Sequence, residues 1–121
     1  MDGVLQHEDG EYRVVTTWGT ITWLAGHSLG NADTIGMTRV LLRHGQANRR
    51  HAHPNCEEVI HLLRGLVQCS VGADTCDLLP GETVCIPAGV YHHYTNTGHG
   101  DAEMIIAYGA GDRQIVLEEG L

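Results

Sequence analysis

Lysine is absent from this chain of 121 residues, and all seven of its basic side chains are arginine. Schiff-base chemistry on a lysine is thereby excluded. Serine is almost as scarce: Ser28 and Ser70 are the two present, and neither stands in a G-x-S-x-G turn that would present a nucleophile. Serine hydrolysis is not expected. Positive charge is outweighed throughout, with a formal net charge of -8 at pH 7, which argues against nucleic acid or an anionic membrane surface as partner. No apolar run is long enough for a transmembrane helix. The opening MDGVLQHEDGEY is acidic and polar rather than signal-peptide-like, so the expected compartment is the cytoplasm. The four cysteines, Cys56, Cys69, Cys76 and Cys85, include no C-x-x-C pair, and a structural zinc site is not indicated.

A length of 121 residues suits one domain, spanning 1–121, with a modest core and no room for a second. Sixteen glycines and frequent short apolar runs point to an all-β barrel, and no segment carries a helical period. Alternation predicts strands over 12–17, 20–24, 35–42, 58–63, 65–71, 74–78, 82–86, 92–96, 102–108 and 114–117. With Gly72-Ala73 as a two-residue hairpin loop, Cys69 and Cys76 fall directly opposite each other. A cross-strand disulfide is geometrically conceivable there, and a reducing compartment favours free thiols. Cys56, two residues before Glu58, reads as a small filler in the loop that could also make the site sensitive to oxidation.

Two glycine-framed segments carry the chemistry. The first runs from Gly45 through His51-Ala52-His53-Pro54-Asn55 and Glu58 to Gly65; the second runs from Gly81 through Pro87-Ala88-Gly89 and His92 to Asn96. On an extended chain His51 and His53 point to one face, as a pincer does. Glu58 opens a strand rich in branched apolar residues and brings a hard oxygen donor. His92 follows a Pro-then-Gly turn and closes the set only once the sheet has folded. Three neutral imidazoles and one carboxylate suit a single divalent transition ion (Mn, Fe, Ni, Co or Zn) better than Mg or Ca, and an octahedral ion so held keeps two adjacent positions for water or substrate.

Both segments resemble the two sequence motifs of the cupin superfamily, position by position, over residues 45–96. The connector Leu66 to Pro80 is about as short as that family's gets, so the chain resembles a small single-domain cupin. The resemblance implies a double-stranded β-helix, or jelly-roll, barrel with one metal site whose ligands match His51, His53, Glu58 and His92. It also implies a small-molecule substrate, and it leaves the reaction open.

Period two then selects the neighbours of the site. If His92 points inward, so do Tyr94 and Asn96, while His93 points out; Glu103 in solvent places Met104, Ile106 and Tyr108 inside, and Arg39 and Arg43 outward place Thr38, Val40 and Leu42 inside. The expected cavity is mostly apolar, with Tyr94 and Tyr108 as the residues that move a proton. The Glu58 strand is apolar on both faces, which calls for cover by the N-terminal strands 12–24 with Trp18 and Trp23, or by a second subunit. A homodimer is the expectation, since exchange of N-terminal strands is common among proteins of this resemblance. Arg49 and Arg50 stand where they could guide an anionic substrate to the mouth. The leading expectation is a metal-dependent enzyme of lyase, isomerase or cyclase type, acting without net redox change. The alternatives are a dioxygenase that cleaves a carbon-carbon bond and a cupin that binds a small ligand without turnover.

Overall fold

Eleven strands and one 3-10 turn account for the regular structure of the computed structural model, which describes residues 12–119. In chain order the strands are β1 (Arg13–Val15), β2 (Gly19–Ala25), β3 (Gly36–Leu42), β4 (His51–Ala52), β5 (Glu58–Arg64), β6 (Val67–Val71), β7 (Asp74–Leu78), β8 (Thr83–Ile86), β9 (His92–Asn96), β10 (Ala102–Tyr108) and β11 (Val116–Leu117). They form two antiparallel sheets, a six-stranded one in the order β1-β2-β3-β10-β5-β8 and a five-stranded one in the order β11-β4-β9-β6-β7. This is the jelly-roll barrel that the two motifs imply.

Strict alternation builds it. β10 is buried at Ala102, Met104, Ile106 and Tyr108, β3 at Thr38, Val40 and Leu42, and β5 at Glu58, Ile60 and Leu62. The in-register pairing of β10 with β3 and β5 stacks these side chains into one layer. The opposite sheet answers with Val67, Cys69, Tyr94 and Leu78, so each sheet buries one face against the other.

Turns close the strands where glycine is needed. Gly65, between β5 and β6, has φ +91°, and an added Cβ there would meet the Ala102 backbone at 2.8 Å. Both the left-handed backbone and the contact demand the missing side chain. Gly72 has φ 59° and leads the two-residue hairpin between Val71 and Asp74, a loop type that requires positive φ. Cys69 and Cys76 are indeed opposite each other, and all four cysteines are free thiols.

The N-terminal strands lie elsewhere than across the outer face of β5. β2 pairs with β3 and extends the six-stranded sheet in its own plane. Its tryptophan, Trp23, and the preceding Trp18 turn inward, packing on Tyr108 and Tyr94 at ring-centroid distances of 5.9 and 6.1 Å. Two apolar indoles find more to bury inside the barrel than on a sheet face shared with Arg39 and Glu103.

Candidate metal centre

His51 and His92 face each other directly across the β4–β9 pairing, in the five-stranded sheet. Glu58 reaches in from the six-stranded sheet, where it pairs with Tyr108 on β10 and Ile86 on β8. His53, just past β4, completes the group from the edge. All four are buried, and the donor atoms of the three histidines lie within 4.8 Å of one another. The three histidines thus come together at the gap between the sheets, with the Glu58 carboxylate against His53 and His92.

Each ring is held from behind. His51 Nδ1 donates to the Arg49 carbonyl at 2.6 Å, His53 Nδ1 to the Gln114 carbonyl at 2.8 Å, and His92 Nδ1 to the Val90 carbonyl at 2.9 Å. A carbonyl can only accept, so each Nδ1 carries the hydrogen and each Nε2 keeps its lone pair. Those lone pairs face the centre. Glu58 Oε2 lies 2.5 Å from His92 Nε2 and 3.6 Å from His53 Nε2, yet none of these three buried atoms has a hydrogen-bond partner. They crowd a common point without addressing one another. Orphaned buried acceptors of this kind are costly, and a divalent cation at that point satisfies all of them, so the residues present fit the metal.

The electrostatics suit the ion at Glu58 and His51, while at His92 a proton competes with it. Burial alone would raise the Glu58 carboxyl, but the imidazoles of His53 and His92 hold it at about 2. Burial lowers His51 to about 4 despite its carbonyl partner. His92 feels the same burial, but its Glu58 neighbour outweighs it and the pKa is raised. A neutral imidazole and an ionised carboxylate are the forms that bind metal.

A cavity of about 200 Å³ opens beside the quartet, lined by His51, Glu58, Tyr94 and Tyr108 together with apolar groups from β2 and β3. Its volume is that of roughly seven waters. Tyr94 and Tyr108 are both buried on the inner face, and burial pushes both phenols up, Tyr108 to about 12 and Tyr94 well above the usual range. At neutral pH they are donors, not bases. Tyr108 Oη lies 3.4 Å from Thr38 Oγ1.

Arg49 lines the cavity, whereas Arg50 does not: its guanidinium turns away to Glu118, to Ser70 Oγ at 2.8 Å and to the Gly72 carbonyl at 2.7 Å. Five further residues lie outside the expected cavity lining. Asn48 is buried and accepts the Tyr94 amide at 2.8 Å through Oδ1, fixing the strand that carries His92. Trp18 closes one wall. Arg113, Ile115 and Leu117 form another, and their odd-numbered spacing was the available signal, though in a segment far from both motifs.

Comparison with known proteins places this geometry. A family model described as "Cupin domain" matches residues 38–108. The chain is similar to germin-like protein 3-5 of Oryza sativa subsp. japonica, with 32% identity over 111 residues that cover 85% of this chain and 47% of the relative. It is also similar to oxalate oxidase 2 of Hordeum vulgare, with 29% identity covering 85% of this chain and 48% of that protein. The chain therefore spans about half the length of the curated relatives it matches. Among solved structures, an oxalate oxidase in complex with glycolate superposes with a TM-score of 0.82 at 21% identity, covering 97% of this chain and 64% of that one. A Lactobacillus farciminis oxalate decarboxylase formate complex superposes with a TM-score of 0.80 at 18% identity, covering 87% and 32%; at such identities the fold is what the two share.

Proposed function

The chain belongs to the cupin family, and from that premise we propose that it is a mononuclear metal-dependent enzyme acting on a small oxygen-bearing metabolite without net redox change, as a lyase, isomerase or cyclase. The observation that supports the metal-dependent reading is the set of three imidazoles whose Nδ1 atoms are tied to main-chain carbonyls and whose donor atoms lie within 4.8 Å of one another, with Glu58 against His53 and His92. His51, His53, Glu58 and His92 would hold the ion. Bound there, a divalent transition metal supplies a Lewis acid that polarises a carbonyl or hydroxyl of the metabolite.

The chain's own residues do the rest. Trp18, Ile21 and Val40 line the cavity and exclude water, which strengthens every charge interaction inside it. Tyr94 and Tyr108, held protonated by burial, give a hydrogen bond or a proton to oxygen as negative charge grows on it. Asn48, fastened to the Tyr94 amide, keeps Tyr94 and His92 on one rigid strand.

A second reading, an oxygen-consuming enzyme such as the dioxygenase alternative or an oxidase, takes support from the similarity to a protein named as an oxalate oxidase. One experiment separates the two. The protein is loaded in turn with Mn, Fe, Co, Ni and Zn and given a panel of small hydroxy-, keto- and dicarboxylic compounds, with products read by mass spectrometry in air and under nitrogen while an electrode follows oxygen. Product formed equally under nitrogen supports the non-redox reading. Oxygen uptake in step with substrate loss overturns it in favour of the second.

A further inference from the structure

Arg113, Ile115 and Leu117 face the cavity from alternate positions of the segment that leads into β11, as an extended chain requires. The arginine is held by aromatic rings rather than by a carboxylate. Its guanidinium carbon lies 4.9 Å from the Tyr108 ring centroid and 5.0 Å from that of Trp23, so two aromatic rings hold the cation in place. Its Nε is buried with no hydrogen-bond partner. Among the described residues no carboxylate forms an ion pair with it, whereas Arg39 and Arg64 share Glu103 and Arg50 pairs with Glu118.

A buried donor left unpaired is costly, and a guanidinium presents a fork that fits a carboxylate. Arg49 stands at the same cavity, which sets two cations there in a chain of net charge -8. The Tyr108 ring links the two ends of the space: it lies 5.4 Å from the His53 ring and 4.9 Å from the Arg113 guanidinium carbon. His51, Glu58 and Arg113 all line the one cavity. Arg113 also lies beyond the region 38–108 that matches the family model.

We propose that Arg113 is a carboxylate-binding, specificity-determining residue. The substrate is then a small acid whose carboxylate seats on the guanidinium while a second oxygen, a few bonds away across an apolar spacer, reaches the histidine cluster. The spacer lies against Ile115 and Leu117. This deepens the proposed function and rests on that reading for the metal-bound end alone.

The test uses isotope-labelled, zinc-loaded protein and reads the Arg113 Nε–H resonance, assigned by its disappearance in Arg113→Lys. The probes are β-hydroxybutyrate and the neutral amide of the same chain. The acid shifts the resonance saturably and the amide leaves it in place. Arg113→Gln weakens the acid roughly ten- to hundredfold and leaves the affinity of the amide unchanged. Zinc content is measured on the same samples, and metal-free protein is titrated with butyrate. A shift in metal-free protein that takes up no zinc upholds the arginine and removes the metal reading. Full zinc occupancy without a shift, an equal response to acid and amide, or no response to butyrate overturns the arginine. Should Arg113→Gln not fold, the wild-type resonance decides.

Discussion

Each imidazole of the cluster gives its Nδ1 hydrogen to a main-chain carbonyl, so no side chain can be exchanged to release it. The ligand tautomer is built into the path of the backbone, and mutation acts on it only by removing the ring. His53→Ala should weaken Co(II) binding by more than about a hundredfold, since outer partners of a ligand are alone worth roughly 10–100-fold. Glu58→Gln, which keeps an oxygen in place, should cost less; titration of the cobalt absorption band measures both. Protons compete for the same atoms. Metal affinity should fall as pH drops through the raised pKa of His92, because that ring must lose its proton to bind, and His51 should add a second loss only near its value of about 4. Cobalt titrations across mildly acidic to neutral pH show whether the first loss comes before that point. Tyr94→Phe and Tyr108→Phe should leave metal affinity unchanged while turnover drops by about a hundredfold or more; unchanged turnover in both would return the phenols to a packing role. The histidine cluster was legible because its three imidazoles stand at the fixed offsets of the two motifs. Arg113 was not: a lone arginine carries no partner in the sequence, and its meaning depends on Trp23 and Tyr108 arriving beside it.

Strands were legible for the same kind of reason, since alternation reports the pleat. β7 and β9 appear over the residues expected, and β10 buries the face that the exposure of Glu103 dictates. β4 escaped as a strand because it is two residues long, too short for a period to show. Placement of β2 was beyond alternation altogether. A period of two assigns faces and says nothing of whether a strand extends a sheet or crosses it, and the side on which Trp18 and Trp23 settle is decided by Tyr94 and Tyr108, far along the chain. At this scale Gly65 offers the sharpest test. Gly65→Ala must hold an alanine at φ +91° against the Ala102 backbone, and denaturant unfolding should show a loss on the order of 2–3 kcal/mol. Gly45→Ala, with positive φ but open space around it, should lose less.

For the molecule as a whole, the two sheets take up every strand among the described residues, and none is left to cover the outer face of the six-stranded sheet. Val59 and Ile105 are half-buried there and Leu63 is exposed. A second subunit is the cover expected of such a face, so sedimentation should give a dimer, and Val59→Asp should shift it towards monomer without loss of metal. Fold class followed from glycine, short runs and motif spacing. The homodimer expected from the doubly apolar Glu58 strand is left to that sedimentation measurement, because the outer residues of a sheet look alike in sequence whether water or a partner meets them.

The hydrogen bond from His53 to the Gln114 carbonyl ties the ion to the segment that walls the cavity. Val116 and Leu117 of the same segment also pair with β4 at Ala52 and His51, so any displacement of that wall would remove the support of a ligand. The two equilibria are then linked, and linkage is reciprocal: whatever factor the ion adds to the closed wall, the closed wall adds to the ion's affinity.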